Sequence, residues 1–223
     1  MTPHLTVVLG GCLFALAAAP ALSAQCSNQW LPGSGIPGSP TSVTAMASWD
    51  PDGTGPAGSL VAVVASSQGG RIATYDPVTG MWTLLPATLG NANPGALIGL
   101  ANGALIASVT GQNPTTGNLL LWNGTTWTLM ATANDVIARL AVMPNGDIIV
   151  GGSFTTIAGV AANRVARWNG SAWLGLGAGL TSVTSCQVNA LTPLPNGHLV
   201  AGGTFTTAGG VACSNVAQWN GSN

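Results

Sequence analysis

The sequence predicts an all-β chain built as a β-propeller of four-stranded antiparallel units, and two observations lead to that prediction. Residues 144–156 (PNGDIIVGGSFTT) recur at 195–207 as PNGHLVAGGTFTT, which is a shift of 51 residues. Each unit also contains four short apolar or alternating runs separated by Gly, Asn, Pro and Thr, the pattern of an antiparallel meander. Four strands in a unit of roughly 40 to 50 residues are typical of a propeller blade.

Aromatic residues mark four units along the chain. The equivalent positions, spaced by 47, 46 and 51 residues, are Tyr75, Trp122, Trp168 and Trp219. The predicted propeller repeats cover about residues 43–90, 95–133, 137–180 and 187–223. Two arrangements are open at this point: a closed four-bladed ring, or an open arc of a larger propeller.

The third unit shows how individual strands are predicted. Its apolar runs place strands at 137–143, 148–152, 163–168 and 172–176. The Asn-Gly pairs at 145–146 and 169–170 are dipeptides that favour positive φ in tight hairpins. No run outside the N-terminal segment has the length and 3.6-residue period of a buried helix. We therefore expect no helix longer than about two turns in residues 40–223.

The string at 144–180, PNGDIIVGGSFTTIAGVAANRVARWNGSAWLGLGAGL, resembles the repeats of large secreted bacterial propellers of the delta-60 and Kelch-like groups. The stretch YDPVTGMW at 75–82 is similar to the Kelch strand pair. The resemblance covers about residues 26–223 and implies a propeller fold and export, without one activity to carry over. It aligns the Kelch double glycine with the glycine pairs at 151–152 and 202–203, and with Ala107 and Ser108 in the second unit.

The repeated aromatic and glycine residues are predicted to be structural. In two units a pair of Trp flanks an Asn-Gly turn at a separation of five residues, so each pair can meet across one hairpin and pack against the next blade. An aromatic platform for carbohydrate is the alternative. The double glycines indicate a bulge or a close backbone approach rather than a phosphate loop, because no helix follows them. The predicted structural residues are Trp30, Tyr75, Trp82, Trp122, Trp127, Trp168, Trp173, Trp219, Gly151, Gly152, Gly202 and Gly203.

The composition excludes two classes of partner. Charged residues make up 4% of the chain, with five Asp, no Glu, no Lys and four Arg, for a formal net charge of −1. This balance provides no electrostatic surface for nucleic acid or for an anionic membrane. Gly, Thr, Ser and Asn stand in place of charges and suit turns and polar strand faces.

A long apolar run at residues 5–22, followed by small residues, predicts a signal peptide over residues 1–24. The protein is then secreted or held at the cell surface, outside the cytoplasm. An uncleaved membrane anchor is the alternative interpretation of this segment. Beyond the signal segment we expect no contact with a membrane.

Residues 25–42 are predicted to be an N-terminal segment that supplies a closing strand. The fourth unit stops before the Trp that would open its last strand, whereas Trp30 and Leu31 stand in a sequence similar to residues 171–177. We expect residues 29–31 to pair antiparallel with the strand that ends near Trp219, which would cover a bare sheet edge. Truncation within a larger ring is the alternative.

Three cysteines remain once the signal is removed, so at least one is unpaired or pairs between chains in an oxidising compartment. Cys186 and Cys213 lie within one repeat, and a disulfide between them is one prediction. Burial as two small apolar thiols is the alternative.

The sequence predicts no catalytic residues, no cofactor and no metal site. General acid–base catalysis needs a titratable pair with different pKa values, and the chain after the signal offers one His, one Tyr and five Asp. His198 follows an Asn-Gly turn at a position that varies between units. Asp50 and Asp52 are the candidates for a metal, since alternate carboxylates can begin a calcium loop, but the other ligands of that loop are missing. An Asx-type turn is the alternative.

These observations favour an exported, non-catalytic binding or scaffold propeller whose partner is an unknown extracellular protein or glycan. That hypothesis depends on fold-level analogy. Two alternatives stay open. One is a hydrolase or lyase of extracellular polysaccharide, which would need carboxylates grouped at one rim. The other is that the chain forms the N-terminal part of a larger cell-surface propeller protein.

Overall fold

The computed structural model of the protein describes residues 35–38, 40–53, 59–66, 69–90, 92–111 and 116–221. These residues belong to one compact part of the chain, and every regular element among them is a β-strand paired antiparallel with its neighbours. The prediction of an all-β chain without long helices is therefore confirmed for these ranges. None of them contains a helix long and apolar enough to span a membrane. The predicted signal and the predicted closing strand around Trp30 lie outside the described residues.

Repeats 1 and 2 each form a complete four-stranded meander. Their strands are β1 Ser42–Trp49, β2 Ser59–Ser66, β3 Gly69–Asp76, β4 Met81–Thr88, β5 Asn93–Gly99, β6 Leu105–Thr110, β7 Gly117–Trp122 and β8 Trp127–Ala133. The strands of each sheet pair in chain order. The second strand of each sheet, β2 or β6, consists of mostly buried aliphatic side chains, because other residues cover both faces of the sheet at this strand.

Repeats 3 and 4 have the same order of main strands. Their elements are β9 Ile137–Val142, β10 Ile148–Gly152, β11 Thr156–Ile157, β12 Val160–Ala161, β13 Val165–Trp168, β14 Trp173–Gly175, β15 Leu180–Thr181, β16 Val188–Pro193, β17 Leu199–Gly203, β18 Thr207–Ala208, β19 Val211–Ala212 and β20 Val216–Trp219. The main sheet of repeat 3 has the order β14-β13-β10-β9. Over the described residues, the main sheet of repeat 4 has three strands in the order β16-β17-β20.

Repeats 3 and 4 also contain a short hairpin that the sequence analysis missed. It lies between the second and third main strands and consists of β11 and β12 in repeat 3, and of β18 and β19 in repeat 4. Ile157 of β11 pairs with Ala133 at the end of repeat 2, and β18 pairs with β15, which follows the last strand of repeat 3. Phe154 and Phe205, just before the two hairpins, are fully buried. Each hairpin thus ties a repeat to the outer strand region of the preceding one.

Neighbouring sheets pack face to face. We call the face that packs on the preceding repeat the front face, and the opposite one the back face. Along β10, Ile148 and Val150 lie in the core shared with repeat 2, whereas Ile149 lies in the core shared with repeat 4. Successive side chains of a strand point to opposite faces. One apolar strand therefore supplies two cores.

The predicted Asn-Gly turns are present, but only the glycine adopts positive φ. Gly146 and Gly170 have φ values of 87° and 92°, whereas Asn145 and Asn169 are not among the positive-φ residues. The Asn side-chain Oδ1 atoms instead accept a hydrogen bond from the backbone amide two residues further on, at 3.1 and 3.0 Å. The turns therefore combine an Asx-type contact with a left-handed glycine.

The third strand of repeat 3 begins at Val165 instead of residue 163. Arg164 has a φ of 69° and its counterpart Asn215 a φ of 67°, so the strand cannot extend through either residue. The Arg164 guanidinium donates from Nε to the Cys186 carbonyl at 3.0 Å and from Nη1 to the Phe154 carbonyl at 3.3 Å. It thus links repeat 3 to the segment that enters repeat 4.

Candidate ligand-binding clefts between repeats

Each of the first three repeats places two aromatic rings opposite each other across its last hairpin. The ring centroids lie 5.2, 5.3 and 5.5 Å apart, respectively, for Tyr75 and Trp82, Trp122 and Trp127, and Trp168 and Trp173. Tilted pairs at such distances are favourable. All three pairs lie on the front face. The Trp pairs of repeats 2 and 3 pack on the preceding repeat, so the expectation that they pack against the next blade is wrong. The register decides this, since Trp168 lies opposite the front-face residue Ile148.

Trp219 of repeat 4 has a guanidinium against its ring. Arg167 of repeat 3 lies over it, with 5.7 Å between Cζ and the ring centroid, within the range of a cation–π contact. The indole Nε1 atoms of Trp127 and Trp219 are buried and have no hydrogen-bond partner in the described part of the chain. Trp30, the remaining predicted structural Trp, lies outside that part.

The second glycine of each double glycine lies against the backbone at the start of the first strand, at the residue just before it. A Cβ at Gly152 would overlap the Val136 carbonyl oxygen, and one at Gly203 would overlap the Gln187 carbonyl oxygen. The strand pairing shifts by one residue at the same point in both repeats, which is a β-bulge. A Cβ at Gly151 would lie 2.7 Å from Val188 Cγ1 of the following repeat. The backbone of the same repeat therefore requires glycine at 152, and the side chains of the following repeat require glycine at 151.

Strand pairing corrects one equivalence of the sequence analysis. The position in repeat 2 that corresponds to Gly151 is Ser108 and not Ala107. The buried Ser108 Oγ accepts a hydrogen bond from the Ala96 amide at 2.8 Å, at the irregular pairing of β5 with β6. A hydroxyl thus stabilises the bulge in repeat 2, where repeats 3 and 4 have glycine.

Two clefts open at equivalent places, where the turns of one repeat meet the next repeat. Cleft I, between repeats 2 and 3, has a volume of about 420 Å³, and cleft II, between repeats 3 and 4, about 480 Å³. Both volumes suit a small ligand or a protruding side chain. Cleft I is lined by residues that include Leu100, Asn102, Gly103, Ala104, Leu121, Trp122, Met130 and Trp168. Cleft II is lined by residues that include Met143, Asn145, Asp147, Arg167, Asn196, Gly197 and Trp219.

The two clefts share a frame and differ at one pair of positions. The frame is an Asn-Gly turn together with the Trp of the following repeat, which is Trp168 in cleft I and Trp219 in cleft II. The differing pair is Ala104 with Leu121 in cleft I, and Asp147 with Arg167 in cleft II. Strand register makes the two pairs equivalent.

The same two positions differ again in the outer repeats. They hold Ser59 with Thr74 in repeat 1 and His198 with Gln218 in repeat 4. The His198 Nδ1 and Gln218 Nε2 atoms form a hydrogen bond. One pair of positions therefore carries two hydroxyls, two apolar groups, two opposite charges or an imidazole and an amide. From the sequence, only position 198 was identified as variable. An alignment of all four units would have shown that the two positions vary together.

Cleft II contains the one ion pair of the described residues. Arg167 Nε lies 3.5 Å from Asp147 Oδ2, and Asn145 Nδ2 donates to the same oxygen at 3.0 Å. The Arg167 and Asp147 side chains are 27% and 13% exposed, so both are reachable from the cleft but mostly shielded from water. The guanidinium has further N–H donors and the carboxylate a second oxygen. A polar ligand would find donors, acceptors and an aromatic ring within one cleft.

The candidate metal residues lie in the loop after β1. Gly53 donates its amide to the Asp50 carbonyl at 3.3 Å, closing a turn that includes Asp52. In the described ranges no group of three or more His, Cys, Asp or Glu side chains is placed to hold a metal ion.

Asp76 stabilises the turn between β3 and β4. Its carboxylate accepts a hydrogen bond from Thr79 Oγ1 at 2.7 Å and from the Val78 amide at 2.8 Å. These bonds, the one from Thr79 first, lower the pKa of Asp76 below its usual value. The carboxylate therefore acts in local structure at this turn.

Cys186 and Cys213 are free thiols, which is the second of the two alternatives drawn from the sequence. Cys186 is 7% exposed and Cys213 is partly buried, and both contribute to the core between repeats 3 and 4. Cys186 donates a hydrogen bond from Sγ to the Leu180 carbonyl at 3.5 Å. Burial raises the pKa of the Cys186 thiol, and the nearby Arg164 opposes that rise.

We expect Cys213 to react with iodoacetamide at least about tenfold faster than Cys186 in the native protein at pH 8, because the thiolate is the nucleophile and Cys186 is buried with a raised pKa. Peptide mapping by mass spectrometry measures both rates. In denaturant the two rates should become equal. Protection of both cysteines until a reductant is added would contradict this expectation and indicate a disulfide.

Two segments of the chain, one in repeat 3 and one in repeat 4, match a model of a known protein domain. Residues 144–170 and 194–220 match the model of a domain of unknown function (DUF5122), beta-propeller. Each match runs from the first Asn-Gly turn of a repeat to its Trp-Asn-Gly turn and includes the inserted hairpin. No curated protein matches the chain. The protein is thus an all-β repeat protein with β-propeller repeats.

Proposed function

We propose that this chain is an exported, non-catalytic binding or scaffold propeller that takes its ligand in the clefts between successive repeats. The observation behind this proposal is the pair of positions that differs from repeat to repeat within a constant frame. In repeat proteins the frame maintains the fold, and the positions free to vary are those that face a partner. Asp147 with Arg167 and Ala104 with Leu121 are such pairs.

The proposal includes the location and the kind of partner. The apolar run at residues 5–22 and the delta-60 and Kelch-like resemblance support a secreted or cell-surface protein. A charged fraction of 4% argues against nucleic acid. The partner is then an extracellular protein or glycan. Cleft II suits a polar group and cleft I an apolar one, because their paired positions differ in that way.

The proposal is tested by exchanging the paired positions between the clefts. The purified chain is first screened against arrays of glycans and secreted proteins. Asp147→Ala with Arg167→Leu gives cleft II the pair of cleft I, so the substituted side chains already occur at that place in the fold. We expect this double variant to bind its cleft II ligand at least about tenfold more weakly, since hydrogen bonds to charged groups contribute roughly 1.5–3 kcal/mol each.

Two matched variants control for folding and location. Ala104→Asp with Leu121→Arg makes the reciprocal change in cleft I, and His198→Ala with Gln218→Ala alters the same positions in repeat 4, outside both clefts. Neither double variant should lower the affinity of the protein for its cleft II ligand. Consistent absence of binding by folded protein across both arrays would contradict the proposed function.

A second candidate function is that of an arc within a larger cell-surface propeller. It is favoured by the exposure of apolar residues on the sheets of repeats 1 and 4. Met46 of repeat 1 is 53% exposed and Val216 of repeat 4 is 61% exposed. The described residues give no support to a hydrolase or lyase of polysaccharide, because the carboxylates of Asp147 and Asp76 already have partners within the protein. The Asp147 carboxylate is engaged by Arg167 and Asn145, and that of Asp76 by its own turn.

A further inference from the structure

Cleft II contains one positive and one negative side chain, and its other lining residues are uncharged. Arg167 is held by two contacts, with Cζ 5.7 Å from the Trp219 ring centroid and Nε 3.5 Å from Asp147 Oδ2. An anionic ligand close to Arg167 would also lie close to the Asp147 carboxylate, and a cationic ligand close to Asp147 would lie close to Arg167. Like charges at such distances repel. Cleft II therefore favours a ligand without net charge.

The pair of Arg167 and Asp147 also places hydrogen-bond donors beside acceptors. The ion pair uses Nε of the guanidinium, and one carboxylate oxygen faces both Arg167 Nε and Asn145 Nδ2. The Nη atoms of Arg167 and the second oxygen of Asp147 can then bond to a ligand. Two hydroxyls on neighbouring carbon atoms match this arrangement, because one accepts from the guanidinium while the other donates to the carboxylate.

Two amide side chains, Asn145 and Asn196, add to the polar groups of cleft II. Their Oδ1 atoms accept hydrogen bonds within their own turns, whereas each Nδ2 carries two N–H groups. A single carboxamide, such as that of a Gln side chain on a protein partner, has one edge with a donor and an acceptor and would use only part of this set. A sugar ring carries hydroxyls along several edges and matches the set better.

The apolar lining residues of cleft II suit the carbon atoms of such a ring. They are Trp219, Met143, Pro144 and Pro195. Small-ligand sites combine apolar and aromatic contact with a few polar groups that fix orientation. A pyranose has C–H groups on its faces and hydroxyls at its edge, so it can use both kinds of contact at once.

Cleft I shows that this kind of cleft arises within the chain, at a contact with repeats on both sides. Its volume of about 420 Å³ is close to the 480 Å³ of cleft II, and the third main strand of the later repeat supplies the Trp of each, Trp168 or Trp219. Ala104 and Leu121 stand in cleft I where cleft II has its charged pair. Cleft I is therefore the same frame without the groups that would bind neighbouring hydroxyls.

We propose that cleft II binds one pyranose unit of an uncharged glycan, with two neighbouring hydroxyls held by Arg167 and Asp147 and the ring carbons against Trp219. Because Trp219 and Asp147 already fix the guanidinium, little side-chain freedom is lost on binding. This inference rests on the proposed function, ligand binding in the clefts, and commits the partner of cleft II to a glycan rather than a protein.

The experiment titrates the full chain with the methyl pyranosides of glucose, galactose and mannose at millimolar concentrations, followed by saturation-transfer NMR and calorimetry. We expect at least one of them to bind. Asp147→Ala with Arg167→Leu should lower its affinity at least about tenfold, and Asp147→Asn, which keeps the shape of the side chain, should lower it as well. His198→Ala with Gln218→Ala is the matched control and should leave the affinity unchanged. Circular dichroism verifies that each variant folds.

Analogues of the bound pyranoside test the chemistry of recognition. Each deoxy analogue lacks one hydroxyl, and we expect two of them, altered at neighbouring carbons, to bind at least about tenfold more weakly while the others change little. The corresponding uronate carries a negative charge and should bind no more tightly than the neutral sugar. Tighter binding of the uronate, or any other pattern among the deoxy analogues, overturns the inference.

The remaining outcomes separate this inference from the proposed function. A pyranoside that binds equally well to the Asp147→Ala, Arg167→Leu variant overturns the inference. If no pyranoside binds, but a secreted protein does so and loses affinity in that variant, the inference fails and the proposed function stands. If neither sugars nor proteins bind the folded chain, both fail.

Discussion

Replacing Trp173 by alanine is expected to lower the free energy of unfolding by about 3 to 5 kcal/mol. The Trp173 side chain is 7% exposed and lies in the core between repeats 2 and 3, with Ile106 and Leu119 of the preceding sheet. Its ring also faces Trp168 at a centroid distance of 5.5 Å. Truncation would leave a cavity that two rigid sheets cannot close. Urea denaturation followed by circular dichroism measures the change.

Two controls separate packing from the loss of any large side chain. Trp82 occupies the equivalent position in repeat 1, where no preceding repeat packs in the described residues, and Trp82→Ala should cost clearly less. Leu174 is the neighbour of Trp173 and is 38% exposed, so Leu174→Ala should change stability by no more than about 0.5 kcal/mol. A loss below about 1 kcal/mol for Trp173→Ala would refute the packing role and favour an aromatic platform on the surface.

Gly152→Ala is expected to destabilise the protein by about 3 kcal/mol, at the upper end of what overpacking costs. The added Cβ would overlap the Val136 carbonyl oxygen and lie 3.1 Å from the Ala138 amide. Both are backbone atoms at the bulge between β9 and β10, so no side chain can rotate away to make room. The strand must shift, and the buried Ile137 beside it would shift too.

Gly203→Ala provides a replicate, because the overlap with the Gln187 carbonyl is of the same kind. Gly202→Ala is the control, since its Cβ would have an ordinary contact of 3.7 Å with Ala190. It should change the stability of the protein by less than about 1 kcal/mol. Equal losses for all three variants would mean that the close backbone approach is not what requires glycine.

Much of the strand pattern could be predicted from the sequence because it depends on local interactions. In repeat 3, β10 matches the predicted 148–152, and the other main strands differ from prediction by one or two residues at their ends. Alternation, apolar runs and Asn-Gly turns act within a few residues of one another, so the repeat itself makes them visible. The shortened start of β13 depends on the left-handed conformation of Arg164, which its residue type does not favour.

The chemistry of the candidate site was only partly visible in advance. Asp147 and Arg167 belong to different strands, and their contact depends on the register between β10 and β13. The apolar pair of cleft I has no chemical motif to find. A comparison of aligned repeats would have shown both, because the two positions differ together while the glycine and Trp of the frame stay the same.

The sequence by itself determined the repeat, its strands, its turns and the residues available to fill the cores. Only the tertiary structure decided which neighbour each sheet packs on, where the inserted hairpins attach, and which faces lie open. The Trp pairs show this most clearly, since their spacing predicts that they meet but does not say that they pack on the preceding repeat. The physical reason is that hydrogen bonding within a hairpin is short in sequence, whereas the packing of one sheet on another depends on which of two alternating faces meets which neighbour. A period of two specifies that there are two faces without specifying the partner of either.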